Sequence, residues 1–145
     1  MPVKKVFETS REIAAPPGTV WNVIADVEKW PQWTPSMREV KRVDSGALAV
    51  GSRAKVKQPR LMPFTWTVTE LTPGKGFTWS MQSPGVRVTA RHYVAPAPPG
   101  SRATLSVEYE GPLASLVARL TAKVNDRYLQ LEADGLKKRS ESLRG

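Results

Sequence analysis

Between Val40 and Glu110 the chain alternates apolar and polar residues in short segments, and from Leu113 onward it abandons that rhythm for a long run without proline. The segments are Val40 to Val43, Arg53 to Lys57, Phe64 to Thr72, Gly76 to Ser83, Val86 to Ala95 and Arg102 to Glu110. Their breaks are Asp44-Ser45-Gly46, Pro59 to Pro63, Pro73-Gly74, Ser83-Pro84-Gly85 and Pro96 to Gly100. Side chains of an extended chain point alternately to opposite faces, so this spacing predicts antiparallel hairpins with one face buried. In the final run Leu113, Leu116, Val117, Leu120, Val124, Tyr128 and Leu131 recur at helical spacing, which predicts one long amphipathic helix with that stripe facing the sheet. A late glycine, Gly135, should weaken the last turns, where Lys137, Lys138 and Arg139 suit the negative end of the helix dipole.

Ahead of the alternating region, residues 4–13 read as a first strand, with Phe7 and Ile13 in one phase and Lys4, Glu8, Ser10 and Glu12 in the other. Ala14-Ala15-Pro16-Pro17-Gly18 ends it. Proline is tolerated in a first helical turn, so Pro17 opens a helix carrying Val20, Val23, Ile24 and Val27, and Pro31 and Pro35 then allow only short helical turns. The order is one strand, two short helices, six strands and a long helix. This predicts an α+β fold, with residues 1–145 as a single domain; that length suffices to bury roughly two-thirds of the unfolded surface.

Composition removes several kinds of chemistry. The chain has no cysteine and a single histidine, so disulfides, thiolate zinc sites, thiol nucleophiles and histidine-rich metal clusters are excluded, and no metal or other cofactor is expected. No apolar run has the length of a signal peptide or of the roughly 20 residues that span a bilayer, so a soluble, cytoplasmic protein without membrane insertion is expected. The net charge of +9 raises nucleic acid as a partner. The excess is spread along the chain, however, and its densest group, Arg53, Lys55, Lys57 and Arg60, alternates with Ala54 and Val56 as the wet face of a strand does. No specific nucleic-acid partner is expected.

Four pieces of sequence resemble the START-like superfamily, also called SRPBCC or Bet v 1-like, and within it the polyketide cyclase/dehydrase group of small bacterial proteins. They are Ile13-Ala14-Ala15-Pro16 before Val20-Trp21, then Asp26-Val27-Glu28-Lys29-Trp30-Pro31-Gln32-Trp33, then Pro73-Gly74-Lys75-Gly76-Phe77-Thr78-Trp79, and the closing helix. The resemblance implies a helix-grip fold, in which a curved antiparallel sheet of about seven strands wraps around the C-terminal helix. It implies a cavity between them, gated near the two short helices by residues such as Trp30 and Trp33, and it admits a homodimer, since such proteins often pair.

Strand parity nominates the residues facing that cavity. Phe64, Trp66 and Val68 share a phase; so do Phe77, Trp79 and Met81; Val86, Val88, Ala90, His92 and Val94; and Leu105, Val107 and Tyr109. His92 is a lone polar group in its apolar phase, and Tyr109 and Tyr128 are the other inward groups that keep a hydroxyl. The expected ligand-binding set is therefore Trp30, Trp33, Phe64, Trp66, Trp79, Met81, His92, Tyr109, Leu116, Leu120, Val124 and Tyr128. Each also has a plain reading: His92 as a core histidine with a satisfied hydrogen bond, the aromatics as core filling. Glu70 is the one acid in an inward phase, so paired carboxylates are absent, and no nucleophile elbow or phosphate loop occurs. The leading functional expectation is a module enclosing a small hydrophobic ligand, whether lipid, acyl or aromatic. The alternatives are a cyclase or aromatase moving protons with His92, Tyr109 and Tyr128, and a protein-interaction domain resembling Hsp90-activating members of the superfamily. The crossing from Gln58 to Pro63 is the one loop long enough to act as a lid.

Overall fold

The structure, a computed structural model, describes residues 3–143. Strand β1 (Val3–Ile13) opens the chain. Helix α1 (Pro17–Ala25) and a 3-10 helix (Val27–Gln32) follow, then β2 (Glu39–Arg42), β3 (Arg53–Lys57), β4 (Phe64–Thr72), β5 (Gly76–Ser83), β6 (Val86–Ala97) and β7 (Gly100–Gly111), and α2 (Ala114–Leu143) closes the fold. The strands form one seven-stranded sheet in the order β1-β7-β6-β5-β4-β3-β2. Every pairing is antiparallel. The two short helices carry the chain from one sheet edge to the other, and α2 packs against β1, β7 and α1. This is the α+β helix-grip arrangement, a curved sheet around a long helix.

Pro16 is extended and Pro17 takes the first helical position of α1, which buries Val20, Val23 and Ile24. Pro31 sits inside the 3-10 helix, whose short tight turns tolerate its missing N–H. The Trp30 indole Nε1–H donates to the Ile24 carbonyl at 3.0 Å, which satisfies one of the carbonyls that a helix leaves unpaired at its end. Around this junction the core gathers Ile24, Val27, Trp30, Phe77 and Leu136, all essentially inaccessible. Each such side chain contributes roughly 1.5–3 kcal/mol by leaving water.

Three expectations are corrected by the structure. First, strand pairing slips between Val68 and Glu70, a bulge that inserts one residue and reverses the phase of the strand beyond it. Leu71 therefore packs against the core and Glu70, expected to point inward, is exposed. Second, α2 is rotated relative to its predicted face. Leu116 and Leu120 are 46% and 75% exposed, while Ala114, Ala118, Leu129, Glu132, Ala133 and Leu136 are buried. Third, Gly135 does not interrupt α2, which continues to Leu143. A Cβ there would sit 2.0 Å from the Trp33 carbonyl oxygen, so the glycine permits the chain after the 3-10 helix to lie directly on α2.

The predicted break from Pro96 to Gly100 is shorter than expected, because β6 runs on to Ala97 with Pro96 paired to Ser101. β5 stops pairing at Gly76 opposite Tyr93, so no strand lies on the side of Pro96 that lacks an N–H.

Candidate ligand cavity

Helix α2 crosses the concave face of the sheet without filling the space beneath it. A cavity of about 230 Å³ remains. Aromatic and aliphatic side chains from β4 to β7, among them Phe64, Trp66, Trp79, Met81 and Val88, form its wall on the sheet side, and α2 supplies the polar and small residues opposite. Met62 and Pro84 are its exposed members and Trp30 and Met37 are buried. The cavity thus opens between the crossing at 58–63 and the β5–β6 hairpin and ends against the 3-10 helix. This places Trp30 at the closed end, not at a gate near the short helices as the resemblance implied.

Ring contacts fix that closed end. The Trp30 centroid lies 5.3 Å from Trp79 and 5.0 Å from His92, and Trp66 is 5.8 Å from Trp79. His92 stacks on Phe77 at 4.6 Å with 27° between the planes, and its Nδ1 lies 3.4 Å from the Phe77 carbonyl. A carbonyl only accepts, so Nδ1 carries the proton and Nε2 keeps a free lone pair. Burial in this aromatic cage pushes the His92 pKa down to about 4, the Phe77 bond opposing, and the imidazole is neutral at physiological pH.

The polar groups of the cavity come largely from α2. Burial raises the Tyr109 phenol above its ordinary value, with Thr121 and Asn125 opposing. Asn125 donates to Thr121 Oγ1 at 2.7 Å, and Thr121 in turn to the Val117 carbonyl at 2.7 Å. Tyr128 is buried, and its hydroxyl donates to the Pro59 carbonyl, tying α2 to the crossing loop. Glu132 is buried at the wall, with Ser36 Oγ donating to its Oε1 at 3.3 Å. Burial pushes its carboxyl up to about 7, the Ser36 bond opposing.

Of the expected ligand-binding residues, the structure brings Trp30, Phe64, Trp66, Trp79, Met81, His92, Tyr109 and Tyr128 around one cavity. Four lie elsewhere. Leu116 and Leu120 point to solvent, and Val124 lines a second groove with Pro35, Pro59, Arg60, Arg127, Leu131 and the outer side of Tyr128. Trp33 packs on Trp30 at 5.7 Å and beneath Gly135, away from the cavity. Glu132 and Ser36 escaped sequence reasoning. The available signal was spacing, since Glu132 follows Tyr128 by four residues on one helical stripe. Among the described residues, no three histidine, aspartate or glutamate side chains gather as a metal site requires. No helix among them is long and apolar enough to cross a membrane.

Residues 4–141 match the family described as polyketide cyclase / dehydrase and lipid transport. No curated protein matches the sequence. Among solved structures, norcoclaurine synthase from Thalictrum flavum, in complex with dopamine and hydroxybenzaldehyde, superposes with a TM-score of 0.75 at 18% identity, covering 99% of this chain and 90% of that one. An aromatase/cyclase from a Streptomyces species gives 0.74 at 16% identity over 96% and 94% of the two chains. The protein Ara h 8.0201 gives 0.67 at 14% identity over 92% and 98%. These likenesses establish a common fold.

Proposed function

As the chain belongs to the polyketide cyclase / dehydrase and lipid transport family, we propose that it encloses a small hydrophobic ligand, lipid, acyl or aromatic, between sheet and C-terminal helix. The cavity of about 230 Å³ walled by Trp30, Trp66, Trp79 and Met81 carries this reading. An apolar enclosure with a few convergent polar groups is what ligand sites are built from, whereas a merely structural core would close at this density of aromatics. His92, Tyr109 and Tyr128 orient the guest. In this reading the protein acts in the cytoplasm without a specific nucleic-acid partner, and the basic residues Arg53, Lys55 and Lys57, which alternate on β3 with buried Ala54 and Val56, serve as the solvated face of a strand.

Native mass spectrometry of protein purified from its own host tests the reading. A retained apolar species at one per chain, released on denaturation, is the expected result. A bare mass, together with unchanged tryptophan fluorescence across a panel of lipids and aromatics, would overturn it.

A second reading, a cyclase or aromatase in the same cavity, is favoured by one observation. His92 and Glu132 line one enclosure with their pKa values displaced in opposite directions, as acid–base partners often are. His92→Phe separates the two readings: a carrier keeps its ligand with modest loss, while an enzyme that moves a proton through His92 keeps binding and loses turnover.

A further inference from the structure

We propose that Glu132 seats a basic nitrogen, so that the ligand is an apolar or aromatic amine whose ammonium group lies at the closed end of the cavity; this rests on the ligand-binding reading above.

The geometry around the carboxyl is directional. Ser36 N–H donates to Thr34 Oγ1 at 3.3 Å, and the Thr34 and Ser36 hydroxyls lie 2.8 Å apart. Because Ser36 Oγ gives its proton to Glu132 Oε1, the Thr34 hydroxyl must donate to Ser36 Oγ. The bonds thus run in series, and the last of them, from Ser36 Oγ, delivers one donor to one oxygen of a side chain that lines the cavity. Such an arrangement favours the ionised form. Among the described residues no hydrogen bond reaches the other oxygen, Oε2, which is left for a guest.

The site lacks the charge that would balance a carboxylate. The titratable groups bordering the cavity beside Glu132 are Arg91 and His92 on β6, Tyr109 on β7 and Tyr128 on α2; Arg91 is the one cation among them, and it is paired elsewhere. The guanidinium of Arg91 reaches Glu108 at 3.6 Å, and Glu108 is also met by Lys4 at 3.8 Å; these pairs lie on the outer face of the sheet. An unpaired buried carboxylate is costly, so the empty site holds a proton near neutrality and gives it up when a cation arrives. The Thr34 N–H donates to the Trp30 carbonyl at 3.0 Å, which fixes this polar corner beside the Trp30 and Trp79 rings. Ring faces of that kind attract ammonium groups and repel anions.

Titration calorimetry with phenethylamine, phenethyl alcohol and phenylacetate, three probes of one shape, tests the assignment. The amine is expected to bind about tenfold or more tighter than the alcohol, the worth of a charge-assisted bond, with phenylacetate weakest. Below neutrality, amine binding should release a proton from Glu132, seen as a binding heat that changes with the ionisation enthalpy of the buffer. Glu132→Gln should bring the amine and alcohol affinities together, chiefly by weakening the amine, and Ser36→Ala should move the pH dependence of amine binding upward. Equal affinities for amine and alcohol in the native protein, without proton release, would overturn the assignment and leave the cavity reading standing. Binding of none of the three, or of any apolar probe, would overturn both.

Discussion

The hydroxyl of Tyr128 donates to the carbonyl oxygen of Pro59, so the middle of α2 holds the crossing loop at the mouth of the cavity. In the same loop Arg60 has a φ of 67°, a conformation that side chains other than glycine adopt at some cost, and Leu61 and Met62 extend over the opening. Removing the hydroxyl frees the loop without emptying the wall. Tyr128→Phe is expected to lower stability by about 1 kcal/mol. It should also speed hydrogen exchange across 58–63 and accelerate ligand release more than it weakens overall folding. Exchange mass spectrometry and stopped-flow fluorescence measure the two effects; protection unchanged at 58–63 would show that the loop is held by something else.

His92 and Glu132 give stability a pH dependence that neither shows alone. His92 titrates near 4 when folded against 6.5 ordinarily, so the unfolded chain binds more protons between those values and stability rises with pH across that window. Glu132 titrates near 7 against 4.5, so the folded chain binds more protons there and stability falls as pH rises from about 4.5 to about 7. Each limb is on the order of 3 kcal/mol at most. From about pH 4.5 to 6.5 the two oppose each other, and the native protein should show a nearly flat profile. Urea unfolding of His92→Phe should expose the falling limb, and of Glu132→Gln the rising one; parallel profiles for all three proteins would refute the account.

Gly135→Ala reverses the usual rule. Alanine in a helix interior ordinarily gains roughly 1 kcal/mol over glycine. At this position the added methyl meets the Trp33 carbonyl oxygen at 2.0 Å, and backbone has little room to yield. A loss of about 1–3 kcal/mol is expected from the overpacking, read from the shift in denaturant midpoint.

The alternation of the strands and the prolines and glycines between them made most of the sheet legible, and Pro17 placed α1 within the first turn. Period-two reading failed at Val68–Glu70, where a bulge adds a residue and the one trace in the sequence is Leu71, an apolar residue out of phase with Trp66 and Val68. The face of α2 was misjudged for a different reason. Hydrophobic patterning assumes that the greasiest stripe turns inward, which holds for a helix pressed against a solid core. Bordering a hollow, α2 instead turns in Ala118, Thr121, Asn125 and Glu132, which leave room or carry a polar group, and leaves Leu116 and Leu120 outside. Glu132 was overlooked for the same reason: a carboxylate on a helix reads as surface until its neighbours are known. Trp30 and Trp33 look alike in sequence, yet only one borders the cavity, because the 3-10 helix turns the other onto Gly135.

The indole of Trp30 has two obligations, since its face closes the cavity while its N–H holds the Ile24 carbonyl at the end of α1. Turning that ring to admit a larger guest would break the bond. The breadth of ligand the protein accepts is therefore coupled to the fraying of its first helix, and selectivity by size becomes a property of a helix terminus instead of the wall that the guest touches.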